Sequence, residues 1–448
     1  MKQSRFNLLV DQTDQHALVF NSFSRGFVEL EKEIYRKLEA GTLDPDDEVT
    51  RELKKGFFLL DDDVDELKVL EARNRIERYK GFRLGLIVLP ALNCNFSCEY
   101  CFEQKKKIFM PPEIEDALVK FIEGRAREIK QLKIGWFGGE PLLAPKIIDR
   151  LAKRIIELCE KHGVEYHSDL TTNGYLLNQK TIDWLKEIRV EKIQVTIDGD
   201  RETHDQRRRL KNGKPTFDVI LNNIKLAAGH FTMPIRLNID RKNAWKAKNL
   251  LPILAEHGLQ DKVYVYYGIV VGLTKACKDY ESSCLDADEL TKIMLLLHKD
   301  AVESQYDFIP FPYPFTNVGG CGAMRPDFFV VDPDGYLHKC LNPVGNKDEA
   351  VGHISRPIEF NPRLVTYLTW DAMEDEVCSK CDILPVCSGG CLWNKLHGLH
   401  SCGYFNGPGY VKEILKLYYS HLGQIAQKAP RVAQTASIGK NSGRRDTT

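Results

Sequence analysis

The sequence predicts an α/β protein centred on a partial (β/α)6 barrel, with a small α+β unit before it and a cysteine-rich unit after it. Three observations give this. Between about residues 82 and 310, strand-like apolar runs alternate six times with amphipathic helical stretches, the pattern of a parallel sheet with crossover helices. Residues 1–81 mix short strand-like runs with short helices. After Pro310 the texture shifts to turns and to seven of the 13 cysteines.

Bulk properties narrow the class. A chain of 448 residues, 43% apolar and 28% charged, has the composition of a globular enzyme and the length for about three domains. Lys+Arg and Asp+Glu balance at 63 each, so no overall field recruits nucleic acid or an anionic membrane. No run approaches the ~18 apolar residues of a membrane span, and the apolar part of residues 1–10 is too short for a secretory signal. Thirteen cysteines without an export signal point to a reducing cytoplasm, where thiols bind metals.

In the N-terminal unit, residues 6–10 and 17–21 read as strands joined by a polar turn. Val28, Leu30, Ile34, Tyr35 and Leu38 follow a helical period that stops at Gly41. A short helix with Val49 and Leu53 leads to a strand over 56–60, and 64–80 reads as a connecting helix. In the barrel the expected strands are 83–89, 133–137, 166–171, 192–197, 235–239 and 263–269. Helices between them are marked by Ile114 to Ile122, Ile147 to Ile156, Ile182 to Ile188 and Val219 to Ile224. Cys159 falls on the apolar side of the second helix and reads as a core residue, whereas Cys277 and Cys284 stand in an irregular stretch and carry no assignment. Residues 328–331, the turn Asp332-Pro333-Asp334-Gly335 and residues 336–340 form a hairpin. A final helix over 411–425 precedes a polar, aperiodic tail, 428–448, that reads as disordered.

Sites in parallel α/β sheets form at the carboxyl ends of the strands. Cys94-Asn95-Phe96-Ser97-Cys98-Glu99-Tyr100-Cys101 lies past the first strand, Gly138-Gly139-Glu140 past the second, and Asn173 and Asp198 past the next two. Three thiols at CxxxCxxC spacing suit an iron–sulfur cluster and leave a fourth iron open for chemistry. With 13 cysteines, chance alone gives this spacing in only about 1 chain in 100.

With Tyr100 between its last two cysteines, this loop resembles the signature of the radical S-adenosylmethionine (SAM) superfamily, and the likeness covers roughly residues 82–310. The resemblance implies a partial (β/α)6 radical SAM barrel and a [4Fe–4S] cluster on Cys94, Cys98 and Cys101, the catalytic centre. SAM would chelate the open iron and, after one-electron cleavage, give a 5′-deoxyadenosyl radical that abstracts a substrate hydrogen. A donor such as flavodoxin or ferredoxin would supply that electron. Tyr100 and Phe102 would flank the cofactor. Gly138 and Gly139 would let the backbone approach it, and Glu140 would accept from the methionyl ammonium. Asn173, in Thr171-Thr172-Asn173-Gly174, matches the ribose-side segment. Thr196 and Arg208 fall where relatives contact ribose and carboxylate, while Asp198 reads as a turn cap.

Cys321 and Cys340, then Cys378, Cys381, Cys387 and Cys391, then Cys402 resemble the seven-cysteine pattern of the SPASM domain, assigned to 311–427. A zinc ribbon is the competing reading, but seven cysteines do not divide into tetrahedral fours. The resemblance implies two auxiliary [4Fe–4S] clusters, three in all. Cys378, Cys381, Cys387 and Cys402 would hold the outer one. Cys321, Cys340 and Cys391 would hold the inner one, whose last position Cys277, Cys284, a small ligand or a substrate thiolate could fill.

The α+β unit of residues 1–81 resembles a winged-helix-like peptide-recognition module, and the whole chain resembles maturases of ribosomally made peptides. In those enzymes the unit grips a precursor's leader by strand addition. The expected function is therefore a peptide maturase that installs a thioether or carbon–carbon crosslink on a precursor peptide. The alternative is sulfatase-maturase-like oxidation of Cys or Ser to formylglycine. That branch carries an aspartate base directly after the position of Cys340, here Leu341. A noncatalytic iron–sulfur electron carrier or peptide-binding scaffold is the reading from another class.

Overall fold

The computed structural model describes residues 1–421, except 105, 273, 275, 305, 307–311, 399–401 and 403–406. The expected boundary at 310/311, the end of the last helix and the tail lie outside the described residues.

Strands β1 (Lys2–Gln3), β2 (Asn7–Gln12), β3 (His16–Asn21) and β4 (Phe27–Glu31) open the chain. β2, β3 and β4 form an antiparallel sheet in that order. Val28 and Leu30, expected to begin a helix, lie instead on β4. Their spacing of two fits a strand as well as a helix, and pairing with Val19 and Ala17 decides it. The helix itself, α1 (Lys32–Ala40), stops at a left-handed Gly41, as expected. After α2 (Glu48–Lys55), the strand expected over 56–60 shrinks to β5 (Leu59–Leu60), which pairs with β1. Gly56 still closes the helix, and Phe57 takes a left-handed φ of 62° that no strand admits. Helix α3 (Glu66–Arg78), capped by Asp65, leads out of the unit.

The barrel runs β6 (Arg83–Val88), α4 (Pro112–Glu123), β7 (Gln131–Trp136), α5 (Pro145–His162), β8 (Glu165–Thr172), α6 (Gln179–Glu187) and β9 (Lys192–Thr196). It continues through α7 (Arg201–Arg207), α8 (Phe217–Ala227), β10 (Met233–Ile239), α9 (Leu250–Glu256), β11 (Val263–Ile269) and α10 (Ala287–Glu303). Each strand pairs in parallel with the next, so the six expected strands are present in sequential order. Alternate residues such as Leu84, Leu86, Val88, Ile134 and Ile193 pack under the helices against Ile148, Leu151 and Ile155, and Cys159 is in this core.

The hairpin β12 (Phe328–Val331) and β13 (Tyr336–His338) forms as expected, with Gly335 at φ 87° in its turn. It does not stand apart from the barrel. β12 pairs in parallel with β6, Phe328 opposite Gly85, and β13 pairs with β14 (Gly352–His353), so one nine-stranded sheet runs from β11 to β14. Helices α11 (Pro362–Thr369), α12 (Leu384–Cys387), α13 (Leu392–Leu396) and α14 (Pro408–Ser420) complete the described chain. Among the described residues no helix is long and apolar enough to cross a membrane.

The N-terminal sheet is a middle layer. One face, with Ala17, Val19 and Leu30, packs on Tyr35, Leu38 and Leu53. The other, with Leu8, Val10, Leu18 and Phe20, packs on Val411, Ile414 and Leu415 of α14 and on Ile383 and Val386 beside the late cysteines. The N-terminal sheet and the last described helix thus share a core. Ile414→Ala empties a fully buried position in it, and the expected cost is about 2–5 kcal/mol in denaturant unfolding, with β2 and β3 losing amide-exchange protection.

Candidate active site

The cysteine loop follows β6 and is tied down on two sides. Leu92 N donates to Ile108 O at 3.1 Å and Met110 N to Pro90 O at 2.9 Å; opposite, Ser97 N donates to Arg209 O and Lys211 N to Asn95 O, both at 2.9 Å. Phe96, fully buried, plugs the loop against Tyr175. Its amide donates to Cys94 Sγ at 3.4 Å, a bond that favours the thiolate form a metal requires. All 13 cysteines are thiols rather than disulfides.

The Gly-Gly-Glu turn after β7 is pressed onto this loop. Gly138 has φ 127°, and a Cβ there would lie 2.3 Å from Ala91 O; one on Gly139 would lie 2.5 Å from Asn93 O. The glycines therefore admit the backbone of residues 91–93. Glu140 is likewise a bracket. Its carboxylate is wholly buried and accepts from Thr172 Oγ1 at 2.7 Å, Asn173 N at 2.7 Å and Leu142 N at 3.0 Å, while its amide donates to Asn93 O. Burial pushes its carboxyl up from the ordinary value, against the pull of those donors. No exposed surface of Glu140 is left for the ammonium contact expected of it. Asn173 closes the circuit: its Nδ2 donates to Asn95 Oδ1 at 2.7 Å, between the first two cysteines.

Beneath the loop lies a charged network. Tyr100 OH donates to Asp198 Oδ2 at 2.5 Å and accepts from Arg208 Nη1 at 2.6 Å and Asn238 Nδ2 at 3.1 Å. Burial pushes the Tyr100 phenol up, which keeps it a donor. Arg207 bridges Asp198 Oδ2 at 3.3 Å and Asp240 Oδ2 at 2.7 Å, and Tyr280 OH donates to Asp240 Oδ2 at 2.8 Å. Asp198 is thus a hub and not merely a turn cap. Burial pushes His204 down to about 3; this neutral imidazole accepts from Asp198 N through Nδ1 and faces Thr216 Oγ1 through Nε2. Arg207, Asn238, Asp240 and Tyr280 escaped the sequence reading. One signal was present: His204 and Arg207 are three apart, on one buried helix face. Thr196 is buried at the end of β9, in register with Arg236.

Phe102, Cys277 and Cys284 pack with Tyr100, Cys98 and Tyr280. The two cysteines left unassigned therefore stand beside the first loop. The late cysteines divide in two. Burial pushes the Cys340 thiol up to about 12, with Cys321 and Cys391 adding to the rise. Burial also lifts Cys387 to about 11, with Cys402, Cys378 and Cys381 adding. Thiols that raise one another in this way ionise together only when a cation supplies the counter-charge, so both sets fit a metal cluster. Among the described residues no three His, Cys, Asp or Glu side chains converge as ligands of one ion do. A four-iron cubane asks for a looser set, one thiolate at each corner.

The sheet's other face has two halves. Ile87, Phe137, Phe328 and Leu341 form an apolar cluster with Leu89, Leu92, Val330 and Val344. Across β9 to β11, Tyr266 OH donates to Gln194 Oε1 at 2.6 Å and Arg236 Nε to Asn238 Oδ1 at 2.7 Å. Gly268 leaves room for that guanidinium, since a Cβ there would lie 2.5 Å from Arg236 Nε.

Residues 88–272, which carry the cysteine loop, the Gly-Gly-Glu bracket and all of the network beneath except Tyr280, match the Radical SAM superfamily. These residues form a radical SAM domain, and the chain is an enzyme. Enzymes of this superfamily use a [4Fe–4S] cluster and SAM, so a role without catalysis is set aside. The chain is 32% identical over 146 residues to a serine-type anaerobic sulfatase-maturating enzyme of Bacteroides thetaiotaomicron, covering 31% of this chain and 34% of that one, about a third of the relative's length. It is 22% identical over 343 residues to a cysteine-type anaerobic sulfatase-maturating enzyme of Clostridium novyi, 70% and 88% of the two chains. Among solved structures, the fold is similar to that of anSMEcpe with bound AdoMet and Cp18Cys peptide, with TM-score 0.61, 21% identity, and 78% of this chain and 100% of that one covered. It is also similar to that of Streptococcus suis SuiB bound to precursor peptide SuiA, with TM-score 0.53, 15% identity, and 90% and 98% covered.

The bracket gives a direct test in the radical SAM enzyme. Gly138→Ala forces the cysteine loop aside, and displacement on the scale of 1 Å is expected to lower SAM cleavage about 100-fold, with the fold retained by circular dichroism. Gly409→Ala, in α14 with open space around it, is the control and should be silent. Undiminished cleavage by Gly138→Ala would show that the contact does not position the loop.

Proposed function

We propose that this radical SAM enzyme acts on a ribosomally made precursor peptide, generating a 5′-deoxyadenosyl radical at the cluster of Cys94, Cys98 and Cys101 and using it to install an intramolecular thioether or carbon–carbon crosslink. In this reading Cys378, Cys381, Cys387 and Cys402 hold an outer auxiliary cluster and Cys321, Cys340 and Cys391 an inner one. Tyr100, Phe102, Asn173, Thr196 and Arg208 line the SAM side, with Gly138, Gly139 and Glu140 holding the loop in place. An electron donor such as flavodoxin or ferredoxin reduces the first cluster. The N-terminal unit of residues 1–81 holds the leader along the edge strand β4.

The observation that carries the crosslinking reading is Leu341. Where formylglycine-forming enzymes place an aspartate, this chain has a side chain packed among Ile87, Leu89 and Phe137 that cannot take a proton. The N-terminal sheet supports the peptide substrate, because among the described residues β4 pairs on one side only. The second reading, oxidation of Cys or Ser to formylglycine, has its own support: the sulfatase-maturating relatives in Bacteroides and Clostridium.

One experiment separates them. The reconstituted enzyme is incubated with SAM, reductant and the short peptide encoded beside its gene. The expected product is two hydrogens lighter and does not react with a hydrazide; an aldehyde-bearing product would establish the formylglycine reading instead. Unchanged peptide beside abundant 5′-deoxyadenosine would reject that peptide as substrate. Cys94→Ala should abolish SAM cleavage and leave the auxiliary clusters, and intact protein should hold about 12 irons per chain. About four irons with zinc would remove the auxiliary clusters from this account.

A further inference from the structure

Among the late cysteines one sulfur is touched by a fixed positive charge. Lys395, in α13, donates from Nζ to Cys378 Sγ at 3.2 Å and to Asp375 Oδ2 at 2.8 Å. Asp375 is held in turn by the segment that carries the cysteine: its Oδ1 accepts from Cys378 N at 2.9 Å and from Val377 N at 3.1 Å. Lys395 and Asp375 thus form an ion pair. Lys395 is only 20% exposed, and its Nζ lies 5.2 Å over the Trp370 ring. That ring fills the space beside Gly389, where a Cβ would come within 2.3 Å of it. The ammonium is therefore fixed by a carboxylate, a ring and a sulfur. The other set of cysteines differs. Lys339, next in sequence to Cys340, donates to the carbonyls of Arg325 and Phe328.

A charge-assisted N–H bond to a ligand sulfur withdraws electron density and favours the more negative, reduced state of the centre it binds. We propose that Lys395 is a positioning residue that raises the reduction potential of the centre held by Cys378, Cys381, Cys387 and Cys402, with Asp375 setting how far. This rests on the assignment of those four cysteines to an outer cluster. Crosslink formation releases one electron from the oxidised substrate. The same electron passes from the inner to the outer centre and leaves to a one-electron acceptor protein, so each centre returns to its starting state. A lysine on Cys378 makes the last protein-bound step downhill.

The test is an EPR-monitored redox titration of full-length enzyme with its clusters reconstituted, compared among wild type, Lys395→Met, Lys395→Arg and Asp375→Asn. Lys395→Met should make one component about tenfold harder to reduce, a fall of about 59 mV for one electron, with the other components unmoved. Lys395→Arg should stay near wild type, and Asp375→Asn should shift the same component upward. A structural role would instead lower iron content without opposite shifts. If Lys395→Met fails to retain the outer cluster, the direction of the Asp375→Asn shift decides. Unchanged potentials in loaded Lys395→Met and Asp375→Asn would overturn the role of Lys395 while leaving the cluster assignment intact. Zinc in place of the outer irons in wild type would overturn both.

Discussion

The oxygen of Ala91 occupies the space any side chain at position 138 would need. Backbone-to-backbone contact at that range is available only to glycine, and it fixes the height of the cysteine loop above the sheet. Gly139 N donates to the same oxygen at 3.2 Å, so the contact is bonded as well as close. Glu140 then joins the second strand end to the third through Thr172 and Asn173, and Asn173 returns to the loop through Asn95. An open loop carrying three thiols becomes a rigid platform because neighbouring strand ends are bonded to it and to one another.

Charge placed under that platform serves the same end. Arg207 stands between Asp198 and Asp240, and Arg208 reaches Tyr100, so two cations meet two carboxylates out of contact with water. Removing one partner from a buried pair of this kind costs roughly 3–5 kcal/mol, because the other charge is stranded. The network adds little to stability when intact and strongly penalises any movement of Tyr100, which lies between two of the cysteines. Rigidity here is electrostatic where in the Gly-Gly-Glu turn it is steric.

The local periods of the sequence were enough for the six barrel strands, the helices between them and the hairpin, because each is a pattern within its own segment. Pairing partners are not. Nothing in residues 328–331 distinguishes a free hairpin from one that adds in parallel to β6, and that addition is what brings the segment after Cys340 onto the inner face of the barrel. Val28 and Leu30 failed as helix markers because their period is shared with a strand, and the partner strand resolved it. At the site, the motif residues were legible by type and spacing, but their partners were not. Glycines read as making room for a ligand also make room for a carbonyl, and a run of three arginines hides three environments: an ion-pair bridge, a phenol and solvent.

The two halves of the inner face bear on the choice of reaction. A base at position 341 would sit among Ile87, Leu89, Phe137 and Val344, where burial would raise its pKa and remove its use as a carboxylate unless a partner were also present. On the crosslinking reading no such base is required. A substrate thiol that binds an open iron of the inner cluster loses its proton on binding, since the thiolate is the ligand. On that reading Cys321, Cys340 and Cys391 would hold the inner cluster, and with Cys277 and Cys284 packed beside the first loop a corner would be left to the substrate. On that reading the apolar wall and the three-cysteine set would be two parts of one device, the cysteines holding a metal that would supply the ionisation of the thiol and the wall of Ile87, Leu89, Phe137 and Leu341 excluding water around it.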